Sequence, residues 1–504
     1  MKNKNYKKIL LFFAVLGISI FVRSGRVHAA TMAVNTGNDT ITANSQCTLS
    51  EALQNINDQA QTSPDCAAGD GDDTIVLLNG TITLTANLPT ITTAGSLTIN
   101  GAGPGSIIDG GDAYTGLVNN SPASEMILSN LTIRHTSSGF NISANNCDFT
   151  NVNVVESLTN NQIFCDATLT VSNLDVTGAT SPSGSGLMIE GDDTLVADLD
   201  NIRVHDGIGN NSDKGAIYLQ NIANLSANHI ELSNFGCAGD CIFGGMVYIG
   251  VTGQTATFSN ITIVENTGSA AGLFLNTDSD VALQNITIAD NVGVTTNAFP
   301  MTVGGLIYIS QSPGEVTIQN TLLANNTADG DDSNCFLGSI QGFGAASIPS
   351  SLGNNLSDDT TCAASFNQTS DFNNVDSGLD TFELDGFSKV YTLLATSPAV
   401  DGGAAILGVS DDQRGTARPQ GGAYDIGAYE TTLAKVTTGG SGGGGSGGSG
   451  NSPNAPSTQA GQAAVPKVPN TGFSLIRNNP LVAAGASIVA TGALLIAARK
   501  YRIS

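Results

Sequence analysis

The chain has 504 residues; 12% are charged, 5% are aromatic and none is Trp. Six of the 18 Lys and Arg fall in the first 29 residues and four after Thr471, whereas all 43 Asp and Glu lie between, so that middle segment carries a net charge of −35. Such a surface repels nucleic acid and anionic lipid, which excludes both as partners of the middle segment.

Residues 1–29 read as a secretory signal peptide. Lys2, Lys4, Lys7 and Lys8 precede the uncharged run Ile9–Val22, and Val27 and Ala29 are placed for cleavage after Ala29. The run is short for a permanent membrane span. Residues 30–72 form a predicted N-terminal cap. Within it "CTLSEALQNIND" predicts a helix, because Thr48 and Glu51 make a capping box and Leu49, Leu53 and Ile56 share one face. That helix suits a lid over the first coil of a solenoid.

Residues 73–430 repeat themselves. The motifs "SNLTI", "TNVNV", "SNLDV", "DNIRV", "NHIEL", "SNITI", "QNITI" and "QNTLL" align in a column at Asn130, Asn151, Asn173, Asn201, His229, Asn260, Asn285 and Asn320. One short strand pair every ~20–35 residues marks a solenoid. Apolar and polar residues alternate over four to six positions rich in Val, Ile, Thr and Leu. The fold class expected is therefore all-β, a parallel β-helix whose coils stack at ~4.8 Å. Asn suits the turns, since it tolerates left-handed backbone and its amide can bond the next coil.

A second column opens at Gly186, Gly215, Gly245, Gly272 and Gly305. Its third position after Gly reads Ile189, Tyr218, Tyr248, Leu275 and Tyr308, and the position before it is uniformly apolar. With the apolar positions inward, alternation turns Tyr218, Tyr248 and Tyr308 outward as a ligand-binding stripe.

Catalytic signals are thin. A lyase acting on acidic sugars needs a basic cluster, and none is visible. The pairs Asp192/Asp193, Asp331/Asp332 and Asp358/Asp359 lie in loops, where acids are ordinarily solvated. His205, Glu265 and Asp290 follow the Asn-column strand in one repeat register and read as a turn column rather than a ligand set. No catalytic residue is assigned and no cofactor is required. Asp70, Asp72 and Asp73, with Asp329, Asp331 and Asp332, offer oxygen ligands for a structural Ca²⁺ without EF-hand spacing.

Eight cysteines fall into four neighbouring pairs, Cys47 and Cys66, Cys147 and Cys165, Cys237 and Cys241, Cys335 and Cys362. An even count in an exported chain favours disulfides without fixing the connectivity. Arg414 and Arg418, close to Asp401, Asp412, Asp425 and Glu430, suit bidentate pairing inside an end cap.

Residues 431–467 are a flexible linker of Gly, Ser and Pro composition. Pro480–Ala498 is uncharged and, as a helix, matches the ~30 Å hydrocarbon core. Arg499, Lys500 and Arg502 follow and place the tail in the cytoplasm. Val468, Pro469, Asn470, Thr471 and Gly472, ahead of the apolar span and basic tail of residues 468–504, resemble the cell-wall sorting signal of sortase substrates. The resemblance implies a sortase-like transpeptidase as partner, cutting between Thr471 and Gly472, with Val468 where the family has Leu.

"CTLSEAL" followed by "GDDTIVLLNGTITLTANLPTI" is similar to the Cys-Ser-Leu-Arg-Glu-Ala-Ile opening of bacterial surface proteins. "SPAVDGG" and "DQRGTARPQGGAYDIGAYE" resemble the close of the choice-of-anchor Q family of right-handed β-helix proteins. Ser50 stands where that family has Arg, and Leu53 where it has Ile. The family implies a right-handed β-helix on the outer face of the cell envelope and no defined activity. Together these features predict an envelope-anchored adhesin or interaction protein binding a surface protein or glycan. An anchored polysaccharide lyase or hydrolase, and a passive coat component, are the alternatives.

Overall fold

In this computed structural model the described residues are 30–436, without 122–123, 160, 182–184, 210–213, 238, 297–300, 311–314, 337–338, 341–343 and 346. The predicted leader, the linker beyond residue 436, the sorting signal Val468–Gly472 and the apolar span lie outside the described residues. Among those described, no helix is long and apolar enough to cross a membrane.

The alternating pattern builds a long parallel sheet of the β-helix kind, in which each strand pairs with its counterpart one repeat away. Leu187–His205 shows how one coil is made. Its first run, 187–190, ends at a register shift before 195–200, and Asn201 then turns the chain into 202–205. The next coil, Ile217–Ser233, follows in parallel, pairing Leu199 with Ala227 and Ile202 with Ile230. Inward positions stack into continuous apolar columns, such as Leu128, Phe149, Val171, Leu199, Ala227, Phe258, Leu283 and Ile318. All of these are buried. Tyr248 meets Phe258 edge-on at 5.5 Å between ring centroids, a favoured aromatic geometry.

The asparagine column behaves as its chemistry dictates. All eight positions, His229 included, have φ between 51° and 58°, the left-handed region that Asn enters more readily than other side chains. Side-chain amides bridge successive coils, with Asn151 Nδ2 donating to Asn130 Oδ1 at 2.9 Å and Asn173 Nδ2 to Asn151 Oδ1 at 2.8 Å. His229 interrupts the run: it bonds Asp200 instead, and Asn260 reaches back to Asn228 at 3.0 Å. A second ladder, unforeseen from the sequence, lies inside the coil, with Asn266 donating to Asn291, Asn291 to Asn326 and Asn326 to Asn334 at 2.9–3.0 Å. Its signal was available, because each of the first three sits six residues after a member of the first column.

The helix runs Leu49–Asp58 with the expected reciprocal capping box. Leu49, Leu53 and Ile56 are buried in the same core as the first coil. Ser50 hydrogen-bonds Asp39 through both backbone N–H and hydroxyl, at 2.8 and 2.6 Å. All four neighbouring cysteine pairs are disulfides, Cys47–Cys66, Cys147–Cys165, Cys237–Cys241 and Cys335–Cys362.

The tyrosine stripe requires correction. Pairing places Ala216, not Gly215, in register with Gly186, Gly245, Gly272 and Gly305. Tyr248 and Tyr308 therefore align with Ile189, Leu219 and Leu275 and point into the core, at 0% and 4% exposure. Tyr218 instead falls in the outward column with Met188, Val247, Phe274 and Ile307. That column too is buried, packed against Ala270, Met301 and Val303 from the connecting loops. The glycines recur because the coils approach closely: a Cβ on Gly272 would sit 2.3 Å from the carbonyl oxygen of Gly305. Gly272→Ala is expected to lower stability by about 1–3 kcal/mol through this overpacking, measurable as a shift in the urea midpoint. An unchanged midpoint would mean the coils separate freely there.

Candidate interaction surface

Each coil presents three outward-facing sides, and the chain covers two of them over its later coils. Loops cover the side bearing Met188 to Ile307. The segment after residue 378 covers a second. This segment begins as an antiparallel hairpin, Leu379–Asp385 with Ser388–Leu393. It folds back along the flank of the coils. Outward-facing Val264, Ala289, Leu322, Ala324 and Leu356 pack against Leu393, Val400 and Ile426 of the returning segment. Ala428 N–H donates to Thr287 Oγ1 at 3.0 Å and Gly427 N–H to the Asn320 carbonyl at 2.8 Å.

Arg414 and Arg418 hold the returning strap together. Arg418 is paired with Glu430 at 2.9 Å, both side chains 0% exposed, and donates to the carbonyls of Asp411, Asp425 and Gly427. Arg414 grips Asp412 through two nitrogens at 2.6 and 2.9 Å and lies over the Tyr429 ring at 3.9 Å. Neither makes the two-oxygen fork expected of bidentate pairing: Arg414 Nε and Nη2 share Asp412 Oδ2, and Arg418 gives Glu430 a single bond.

A stack of ionisable groups marks where the strap begins to cover the flank. Asp175, Arg203 and Glu231 occupy one outward column in consecutive coils. Arg203 Nε donates to Glu231 at 2.7 Å, and Lys389 N–H of the hairpin donates to the same carboxylate at 2.6 Å. His205 bonds Asp175 and Asp206; burial disfavours its charge, but these carboxylates outweigh that and raise its pKa. His205 is not the equivalent of Glu265 and Asp290. The shared register position is Asp206, with φ of 54°, 57° and 54° at Asp206, Glu265 and Asp290. Burial raises the pKa of both Glu265 and Asp290, and the Asp290 charge pushes Glu265 further. The Tyr391 hydroxyl donates to Asp290.

The paired acids do not all lie in loops: Asp192 and Asp193 sit within Leu187–His205, and Asp331–Asp332 is a short strand. Asp192 accepts from Thr194, whereas Asp193 accepts from Gln254. Asp358 accepts from Asn325 and Asn334, and Asp359 from Thr361. Asp70, Asp72 and Asp73 accept from the backbone of Ala30, Ser96 and Asp70 respectively. Asp329 binds Thr295, and Asp331 and Asp332 are exposed. Among the described residues no three His, Cys, Asp or Glu side chains gather as a metal centre.

Among the described residues nothing covers the third side. One outward column runs Asn146, Thr168, Val196, Asn224, Thr255 and Asp280; its neighbour runs Asp148, Thr170, Asp198, Ser226, Thr257 and Ala282. Asn146, Asp148 and Ala282 are half-buried and the other nine are exposed. Hydroxyl-to-amide bonds orient parts of the array, from Thr168 to Asn146 at 2.7 Å and from Thr255 to Asn224 at 2.8 Å. A shallow groove of about 290 Å³ crosses it, lined by Thr255, Thr257, Asp280, Glu315 and Thr317. A second open groove, about 370 Å³, lies on the loop-covered side before its cover begins, among Thr115, Ser137, Asn141, Thr159 and Gln162. Hydroxyls, amides and carboxylates in such rows can hydrogen-bond an extended ligand.

No protein-family model matches the chain, and no curated protein or solved structure does so either.

Proposed function

We propose that the chain is an envelope-anchored, right-handed parallel β-helix that works as an adhesin or interaction protein, held outward on the stalk of residues 431–467. The leader, the four disulfides and the sorting-signal pattern support display on the outer face of the envelope. Cleavage at Thr471 by a sortase-like enzyme transfers the chain from the membrane to the wall. One observation carries the interaction reading: over the later coils two outward sides are buried by the chain's own segments, while among the described residues the polar columns of the third are uncovered.

The test displays the full chain on cells and offers a panel of soluble neutral and charged polysaccharides and surface proteins. Retention of an intact partner is expected, with loss in Ser226→Arg/Thr257→Arg, which blocks the open side without touching the core. Polymers recovered in shortened form would replace this reading with the hydrolase or lyase alternative. Retention unaffected by the two arginines would move the contact off this side.

A further inference from the structure

We infer that the partner of the open side is an extended polysaccharide carrying free amino groups, an inference that rests on the interaction reading above. The side is single-signed. Asp148, Asp198 and Asp280 belong to its two columns, and Glu125 and Glu315 border them. Every described Lys and Arg lies elsewhere: Arg134 and Arg203 on the strap-side columns, Lys214 over Tyr218, Lys389 in the hairpin, and Arg414, Arg418 and Lys435 in the returning segment. A cationic partner meets complementary charge there and an anionic one meets repulsion.

Residue types narrow the class further. Protein interfaces are anchored by Trp, Tyr and Arg in desolvated pockets, and Ser and Asp are depleted in them. The two columns hold no aromatic and no Arg, and Val196 is their only large exposed apolar side chain. Recognition must then rest on charge and hydrogen bonds rather than ring stacking. The columns run along the stack: Asp148 and Asp198 lie in one of them two coils apart, with Thr170 between, a span of ~10 Å at the ~4.8 Å strand spacing. A sugar polymer extended along the stack spans several coils, so its amino groups can reach Asp148, Asp198 and Asp280 while its hydroxyls meet the Thr, Ser and Asn side chains between them.

The full chain displayed on cells is incubated with a β-1,4-linked glucosamine polymer and, separately, with the same polymer fully N-acetylated. The amino form is expected to be retained and released by salt, and the acetylated form to pass. Asp148→Asn/Asp198→Asn/Asp280→Asn should weaken retention by about tenfold or more. Asp331→Asn/Asp380→Asn/Glu383→Gln, which removes the same charge from other exposed positions, should leave it unchanged. Equal loss in both variants would reduce the effect to diffuse attraction by net charge and overturn the inference. Equal retention of both polymers would also overturn it, while the Ser226→Arg/Thr257→Arg block would still carry the interaction reading. Retention of neither polymer overturns the partner class, and the wider panel then decides the interaction reading by itself.

Discussion

Arg418→Met is expected to destabilise the protein by about 3–5 kcal/mol, because it leaves Glu430 charged in a site without solvent. Glu430 also accepts from the backbone of Gln420 and Asp425, and Arg418 satisfies three carbonyls. Removing the guanidinium therefore takes a donor from three carbonyls and the counter-ion from Glu430 at once. The damage should be local first. The strap from residue 394 to 431 covers the apolar stripe Val264, Ala289, Leu322, Ala324 and Leu356, so its release exposes that stripe and the strap backbone together. Limited proteolysis should cut within 394–431 in the variant and spare it in the wild type. Replacing both partners, Arg418→Met with Glu430→Leu, removes the stranded charge and should recover part of the loss. An Arg418→Met protein with wild-type urea midpoint and protease pattern would show that the strap is held by its apolar contacts alone.

Thermal stability should rise as the pH falls from about 8 to about 5. Five groups at or under the strap set the sign. Burial raises the pKa of Glu265 and Asp290, and that of Asp425 to about 6. For His205 and His229 burial acts the other way, but hydrogen bonds to Asp175 and Asp206, and to Asp200 with Asp411 beyond, raise the pKa in balance. All five folded values exceed the unfolded ones, so the stability each contributes is complete below its unfolded pKa and disappears as pH rises through its folded pKa. For Asp425 that window runs from 3.8 to about 6, on the order of 3 kcal/mol. Self-repulsion of the acidic chain acts in the same direction. Below 3.8 the sign reverses: Asp109 and Asp206 resist burial through hydrogen bonds that hold their pKa below 3.8, and protonating them costs stability. A melting-temperature profile should therefore peak in mild acid. A peak above neutral pH would mean that the buried carboxylates hold ordinary pKa values.

Local chemistry and repetition were legible in the sequence. The left-handed Asn column, the capping box at Thr48 and Glu51 and the four cysteine pairs all follow from short-range rules: backbone preference, reciprocal hydrogen bonds and neighbouring sulfurs. The tyrosines were not legible, because one residue of offset at Gly215 exchanges inside for outside in a period-two strand. Only the pairing of coils resolves that offset. The internal ladder of Asn266, Asn291 and Asn326 could have been found by extending the same column six residues.

The strap was beyond sequence reasoning. Its contacts join non-repeating segments far apart in the chain, as Thr262 does with Gln413 across 151 residues. No local rule encodes which flank a returning segment covers. The sequence by itself determined the stack of parallel coils, since alternation and left-handed turns act within a few residues. Only the tertiary structure decided which sides stay open, because burial of an outward column depends on packing against segments that share no period with it.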